Sequence, residues 1–261
     1  MVSVRIVLRF AAASALTLVV FSGWVLTRPL GLLSMRSLSA RAHRVFVRAW
    51  ARGIASIVNI RIGTIGTPPA PPFFLVANHL SYVDIIVLHA SVDGVFLANS
   101  GVARWPVLGF LARVTGTLFV DRERRSDLVR VLGEAERTLA SGRGLILFPE
   151  GTSSKGDEVR PFKASLFEVA IRTGIPVSYA TLRYETPAGS LSARDAVCWW
   201  ANEPFVRHLP RLLALPSVRA TITFGDEPIV ADDRKSLARQ AHDAVAARFE
   251  PVAVEAAACA R

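Results

Sequence analysis

Apolar and polar positions divide the chain near residue 62. Before that point lie two long helical patterns. Phe10 to Thr27 is a run of 18 uncharged residues bounded by Arg9 and Arg28. At about 1.5 Å of rise per residue, such a helix is just long enough to cross a hydrocarbon layer. Its centre, Ala15 to Phe21, is apolar apart from Thr17, and Trp24 stands near the far end. A cleaved leader would share the basic start at Arg5 and Arg9, but no small-x-small site follows the run. A full span and a re-entrant anchor both fit. Met35 to Ile60 reads differently. Phe46, Trp50, Ile54, Ile57 and Val58 recur at helical spacing, and Arg41, Arg44, Arg48 and Arg52 fall mainly on other faces. This predicts a basic amphipathic helix at headgroup level. A helix packed on a core with a solvated polar face shares the periodicity.

Gly63 to Pro72, rich in Gly and Pro, reads as a linker. Residues 1–62 are therefore expected to form a membrane anchor and 63–261 the main domain. Beyond Pro72 the period changes. Strands are expected at Phe73–Ala77, Gly94–Ala98, Thr117–Val120, Gly144–Phe148, Pro176–Arg183 and Val218–Phe224. Helices are expected at Tyr82–His89, Pro106–Val114, Ser126–Ala140, Phe162–Thr173 and Arg234–Phe249. Continuous apolar strands alternating with helices predict an α/β fold: a largely parallel sheet flanked by helices.

Charge sharpens this division. The chain carries +10 over 261 residues. Residues 1–83 hold nine arginines and no Asp, Glu or Lys, so the remainder carries only +1. The basic excess therefore sits with the membrane-length run, which favours an anionic lipid partner over nucleic acid. Arginine is denser after the run than before it, which puts the main domain on the cytoplasmic side. Two cysteines, Cys198 and Cys259, make no disulfide framework. The five histidines show no metal-ligand spacing, so no metal is expected.

Three segments carry candidate chemistry. The first is Asn78-His79-Leu80-Ser81-Tyr82-Val83-Asp84. A histidine sits just past a strand end, where parallel sheets gather their sites. His79 and Asp84 can meet only if His79 precedes the helix and Asp84 lies in its first turn, with Ser81 as N-cap. Ser81-x-x-Asp84 is also a capping box, so Asp84 has a structural reading as well. The second is Val120-Asp121-Arg122, whose arginine suits a phosphate or is one exposed charge in a charged turn. The third is Phe148-Pro149-Glu150-Gly151-Thr152, with Arg160 and Lys163 downstream. It gathers N–H groups, hydroxyls and a carboxylate at one turn, or is simply a turn.

Taken together, Asn-His-x-Ser-x-x-Asp and Phe-Pro-Glu-Gly-Thr, in this order and spacing over residues 70–185, resemble the lysophosphatidate acyltransferases of glycerolipid synthesis. Ile175-Pro176-Val177 matches a weaker block. The resemblance implies transfer of a fatty acyl group from acyl-CoA or acyl carrier protein to the free hydroxyl of a lysophospholipid. The first acceptor implied is 1-acylglycerol-3-phosphate, and lyso-ornithine lipid is the alternative. It implies His79 as general base supported by Asp84, and Arg122 on the acceptor phosphate. Asn78, Ser81, Glu150, Gly151, Thr152 and Lys163 would shape the substrate site. No cofactor is implied. The chemistry is consistent with this. A hydroxyl attacks a thioester when a positioned imidazole removes its proton, and no acyl-enzyme is needed. A serine hydrolase would need Gly-x-Ser-x-Gly, which is absent. Gly142-Arg143-Gly144 is not a phosphate loop. A membrane-tethered lipid-binding module without turnover is the rival of another class. The aromatic segment Cys198 to Leu213, with Trp199, Trp200 and His208, is a further candidate for acceptor choice, or ordinary packing.

Overall fold

The computed structural model describes residues 2–32, 36–121, 124–201 and 203–253. Arg122, Met35 and Cys259 lie outside them. Two helices open the chain, α1 (Val2–Leu32) and α2 (Arg36–Val58). There follow β1 (Ile60–Ile65), β2 (Phe74–Ala77), α3 (Val83–Ser91) and β3 (Gly94–Asn99). Next come α4 (Leu108–Val114), β4 (Leu118–Val120), α5 (Arg125–Ala140) and β5 (Gly144–Leu147). The chain continues through α6 (Glu168–Thr173), β6 (Val177–Glu185), α7 (Ala193–Ala196), α8 (Phe205–Ala214), β7 (Val218–Phe224) and α9 (Arg234–Arg248).

Among the described residues, seven strands form one sheet in the order β1-β7-β6-β2-β5-β3-β4. Neighbours run parallel except β6 and β7. The central strands β2 and β5 are buried at every position, as continuous apolar runs in a two-sided sheet require. Successive side chains serve opposite faces. Leu75 and Ala77 join one core with Trp50, Ile54, Val87 and Leu212. Phe74 and Val76 join the other with Val131, Leu132, Val169 and Leu237. Each fully buried Leu, Ile or Phe here contributes about 1.5–3 kcal/mol.

The expected linker is in part a strand. Gly63, Thr64 and Ile65 pair with Thr221, Ile222 and Thr223 of β7. A boundary at residue 62 thus falls inside an edge strand of the sheet. Glycine and the nearby prolines mask it, because an edge strand tolerates both.

The two N-terminal helices also differ from each other. Val2–Leu26 has the length and composition to cross a membrane and is barely buried in the protein. Leu8, Leu18, Val19 and Leu26 are exposed on α1. Its basic end is tied down, with Arg5 donating to Ala214 O at 2.9 Å and Arg9 to Leu213 O at 3.1 Å. These carbonyls end α8 and would otherwise lack partners. α2 packs its apolar stripe, Val47, Trp50, Ile54 and Val58, into the protein. Its arginines turn to α3: Arg48 Nη2 donates to Ser91 O at 2.8 Å and Arg52 Nε to Ala90 O at 3.3 Å. Arg44 pairs with Asp93 at 3.6 Å. Positive charge at a helix C-terminus complements its dipole. The core-packing reading of α2 therefore describes much of it.

Candidate active site

β2 ends at Ala77 in the middle of the sheet, and the chain turns at Asn78 to begin α3. The Asn78 side chain closes that turn. Its Nδ2 donates to Leu182 O at 3.1 Å and its Oδ1 accepts from Leu182 N at 2.7 Å, on neighbouring β6. Both ends of the amide are thus used on backbone. Ser81 is fully buried, and its hydroxyl accepts from Val83 N at 3.3 Å.

His79 and Asp84 meet. The imidazole Nδ1 lies 2.7 Å from Asp84 Oδ2. The same oxygen accepts from Leu80 N at 2.7 Å and Ser81 N at 2.9 Å. Asp84 is therefore both helix cap and histidine partner, through one oxygen. Its other oxygen accepts from the Tyr184 hydroxyl at 2.7 Å. With Nδ1–H donating to a carboxylate, His79 presents Nε2 as the basic nitrogen. Among the described residues Nε2 has no hydrogen-bond partner. The ring stacks on Phe148, with centroids 4.1 Å apart and planes 7° off parallel.

The Phe-Pro-Glu-Gly-Thr segment supplies the adjoining wall. It leaves β5 in a turn closed by Gly151 N to Phe148 O at 3.1 Å. Gly151 has φ +78°, a left-handed conformation that favours glycine. Glu150 is buried, and its Oε1 accepts from His79 N at 2.7 Å while Oε2 accepts from Arg160 N at 3.2 Å. Burial pushes the Glu150 carboxyl up to about 7, against the two backbone hydrogen bonds that lower it. Glu150 thus ties the histidine turn to the downstream loop. Arg160 meets the site through its backbone. Lys163 has an exposed side chain, and its N–H donates to Pro149 O at 2.9 Å.

A cavity of about 760 Å³ opens beside the imidazole. His79, Gly151 and Thr152 lie at one end of its lining beside the Phe148 ring, and Thr17, Trp50, Phe110 and Leu212 belong to its largely apolar wall. The cavity runs from the sheet to α1, so the membrane-length helix helps enclose it. A histidine base at one end of a long apolar pocket can deprotonate a hydroxyl carried on an apolar chain.

Tyr184 is a site residue that sequence reasoning passed over. It lies on β6, 100 positions from Asp84, and only strand alternation marks it as inward-facing. Trp199 and Trp105 line the cavity with their rings 5.2 Å apart. His208 is fully buried, holding Tyr82 Oη at 2.9 Å and Cys198 O at 3.0 Å. Burial pushes its pKa down to about 4. It braces the Tyr82 side of the pocket as a neutral ring.

The family model described as Acyltransferase matches residues 60–180. Over 215 residues the chain is 34% identical to lyso-ornithine lipid O-acyltransferase of Brucella abortus, covering 76% of this chain and 79% of that protein. The chain belongs to the acyltransferase family. It is also 34% identical over 150 residues to 1-acyl-sn-glycerol-3-phosphate acyltransferase of Neisseria gonorrhoeae, covering 56% of this chain and 59% of that one. The resemblance to lysophosphatidate acyltransferases read from two motifs is borne out. The fold of this acyltransferase matches the crystal structure of the 1-acyl-sn-glycerophosphate acyltransferase PlsC of Thermotoga maritima. The TM-score is 0.64 at 21% identity, over 94% of this chain and 96% of that one. The matched residues 60–180 include His79, Asp84 and Glu150, and Tyr184 falls just beyond them.

Proposed function

We propose that this acyltransferase moves a fatty acyl group from acyl-CoA or acyl carrier protein to the free hydroxyl of a lysolipid, with His79 as general base. The observation that carries the reading is the imidazole fixed by Asp84 at Nδ1 and set at the end of a 760 Å³ apolar cavity. His79 Nε2 removes the hydroxyl proton as oxygen attacks the thioester carbon. Asp84 stabilises the imidazolium that forms. The tetrahedral intermediate collapses with loss of the C–S bond, and the imidazolium returns its proton to the departing thiolate. Glu150 holds the His79 backbone in place. Arg122, which follows β4 in the sequence, is assigned by resemblance to the acceptor's anionic group, and Gly151, Thr152 and Lys163 are assigned by the same resemblance to the substrate site. The acyl chain occupies the apolar cavity. The enzyme is membrane-associated through α1, and its main domain works at the cytoplasmic face.

Two acceptors compete. The motifs suggest 1-acylglycerol-3-phosphate. The longer match to the lyso-ornithine lipid enzyme, at equal identity, favours lyso-ornithine lipid. A panel of lyso-acceptors with one labelled acyl thioester decides between them. His79→Ala should lower turnover on the best acceptor by about 10²–10⁴ and leave the protein folded. Turnover by the variant within a factor of a few of wild type removes His79 from the chemistry. An unlabelled product with every acceptor removes the activity itself.

A further inference from the structure

A second cavity, of about 400 Å³, lies at the opposite edge of the sheet. His79 stands past the C-terminal end of β2, whereas this cavity is bounded by the N-terminal ends of β3 and β5 (Asp93, Gly94, Arg143). The first half of α2 (Arg41, Arg44, Arg48) and His89 of α3 complete it. Four guanidinium groups thus face one space with a single carboxylate, Asp93. That carboxylate is taken by Arg44 at 3.6 Å.

The remaining polar groups around this space are only partly satisfied by the protein. Arg143 makes no side-chain hydrogen bond and no ion pair among the described residues. Its Nε is buried without an acceptor, and burial lowers its pKa, ahead of the opposing pull of Asp93. Arg48 spends Nη2 on Ser91 O, and its Nε is likewise buried without a partner. His89 is 4% exposed, and its Nε2 too is buried and unpartnered. Its ring is held against Phe96, centroids 4.8 Å apart. Burial keeps it neutral, with its pKa pushed down to about 3. Buried polar groups without partners cost about 1–3 kcal/mol each, and native structures seldom leave three such nitrogens around one cavity, two of them guanidinium donors, unless something fills it. None of these residues belongs to the wall of the active-site cavity.

We propose that this cavity is a second ligand site, built for the phosphate oxyanion of an anionic phospholipid headgroup. Guanidinium forks match phosphate oxygens in geometry as well as charge. The location favours a lipid over a free anion. The cavity opens on the part of α2 that follows α1, and His43 there packs on Trp24 of α1, ring centroids 4.8 Å apart. A headgroup at the surface that α1 enters is within reach of Arg41. The site also lies at the far end of α3, the helix that presents Asp84 to His79. The proposal does not depend on which lysolipid is acylated.

The test is titration calorimetry of the full-length protein in a neutral detergent. The probes are inorganic phosphate, short-chain phosphatidylglycerol and short-chain phosphatidylcholine. Phosphatidylglycerol should bind more tightly than phosphatidylcholine. Arg143→Gln should weaken that binding about tenfold or more, with Arg143→Lys intermediate. Arg41→Gln, at an exposed position, gives a second reading if Arg143→Gln does not fold. Binding of inorganic phosphate as tight as the lipid's, lost in the same variants, keeps the phosphate site but makes its ligand a free anion. The idea is overturned if neither anion binds wild type. Equal binding of phosphatidylcholine, or unchanged binding by folded Arg143→Gln and Arg41→Gln, overturns it as well.

Discussion

At the C-terminal edge of the parallel strands, the buried carboxylates are saturated. Asp84 takes four donors on two oxygens, and Glu150 takes a backbone N–H on each. At the N-terminal edge the opposite holds. Arg143, Arg48 and His89 each leave a buried nitrogen without a hydrogen-bond partner. Both edges desolvate charge, which is costly unless the charge is paired. At one edge the carboxylates meet that cost from backbone N–H groups together with the His79 imidazole and the Tyr184 hydroxyl, so they are fixed before any substrate arrives. The other leaves buried nitrogens of Arg143, Arg48 and His89 without a protein partner, which is the basis of the second site proposed above. The same sheet thus carries one preorganised end and one end whose cations the protein only partly pairs.

The sharpest way to break the comparison is to remove charge from the saturated edge without removing its hydrogen bonds. Asp84→Asn does this. The amide oxygen can still accept from His79, Leu80 and Ser81. The new NH₂ meets the Tyr184 hydroxyl, which can reverse and accept. The fold should survive with a small change in melting temperature. The imidazolium, however, loses its counter-charge, and kcat should fall by about 10²-fold or more. Activity retained in a folded Asp84→Asn protein would reduce Asp84 to a cap. A large loss of stability would mean that the Tyr184 hydroxyl cannot reverse.

Glu150 offers a smaller effect with a definite sign. Its folded-state pKa is raised from 4.5 to about 7 by burial. The stability this contributes is fully present below 4.5 and is lost as pH rises through 7. Wild-type melting temperature should therefore fall between pH 5 and 8. Glu150→Gln should lack that part of the fall, a difference on the order of 1–3 kcal/mol across the window. Gln keeps an acceptor for His79 N but turns a donor toward Arg160 N, so the variant should be less stable at pH 5 and closer to wild type at pH 8. Parallel melting-versus-pH curves for the two proteins would show that Glu150 does not titrate in this range.

Legibility in the sequence followed the same asymmetry. The central strands were readable because β2 and β5 are short apolar runs with nothing polar to confuse the period. His79 and Asp84 were readable because a strand end, an N-cap and a five-residue spacing leave one way to join them. Asn78 and Ser81 belong to the same motif, yet their polar atoms go to Leu182 and Val83, contacts that no spacing reveals. Tyr184 was missed because its partner lies 100 positions away. β1 was hidden by Gly63, and α8 by the Pro210 inside it. The arginines of α2 were legible as a face but not as to what they face. Periodicity reports which side of a helix is polar, not whether water, lipid or the end of α3 lies opposite.

The smallest effect tests the N-terminal edge from the inside. If the Arg143 guanidinium is desolvated and unpaired in the free protein, replacing it should not destabilise the fold. Arg143→Met keeps a stem of similar reach, so the packing of the aliphatic part is largely retained. What disappears is a cation in a half-buried place and an Nε without an acceptor. One local compensation is also lost, the attraction of Asp93, but Arg44 still holds that carboxylate at 3.6 Å. Replacing a poorly paired buried charge by an apolar group of similar size is neutral or stabilising. The expected gain is about 0–1 kcal/mol, or roughly 0–4 °C in melting temperature for a protein of this size. The measurement belongs in phosphate-free buffer and neutral detergent. Short-chain phosphatidylglycerol should then raise the melting temperature of wild type but not of Arg143→Met, reversing their order. A drop of several degrees on Arg143→Met without any anion present would show that Arg143 already has what it needs from the protein, and the contrast between the two edges would fail at its weaker end.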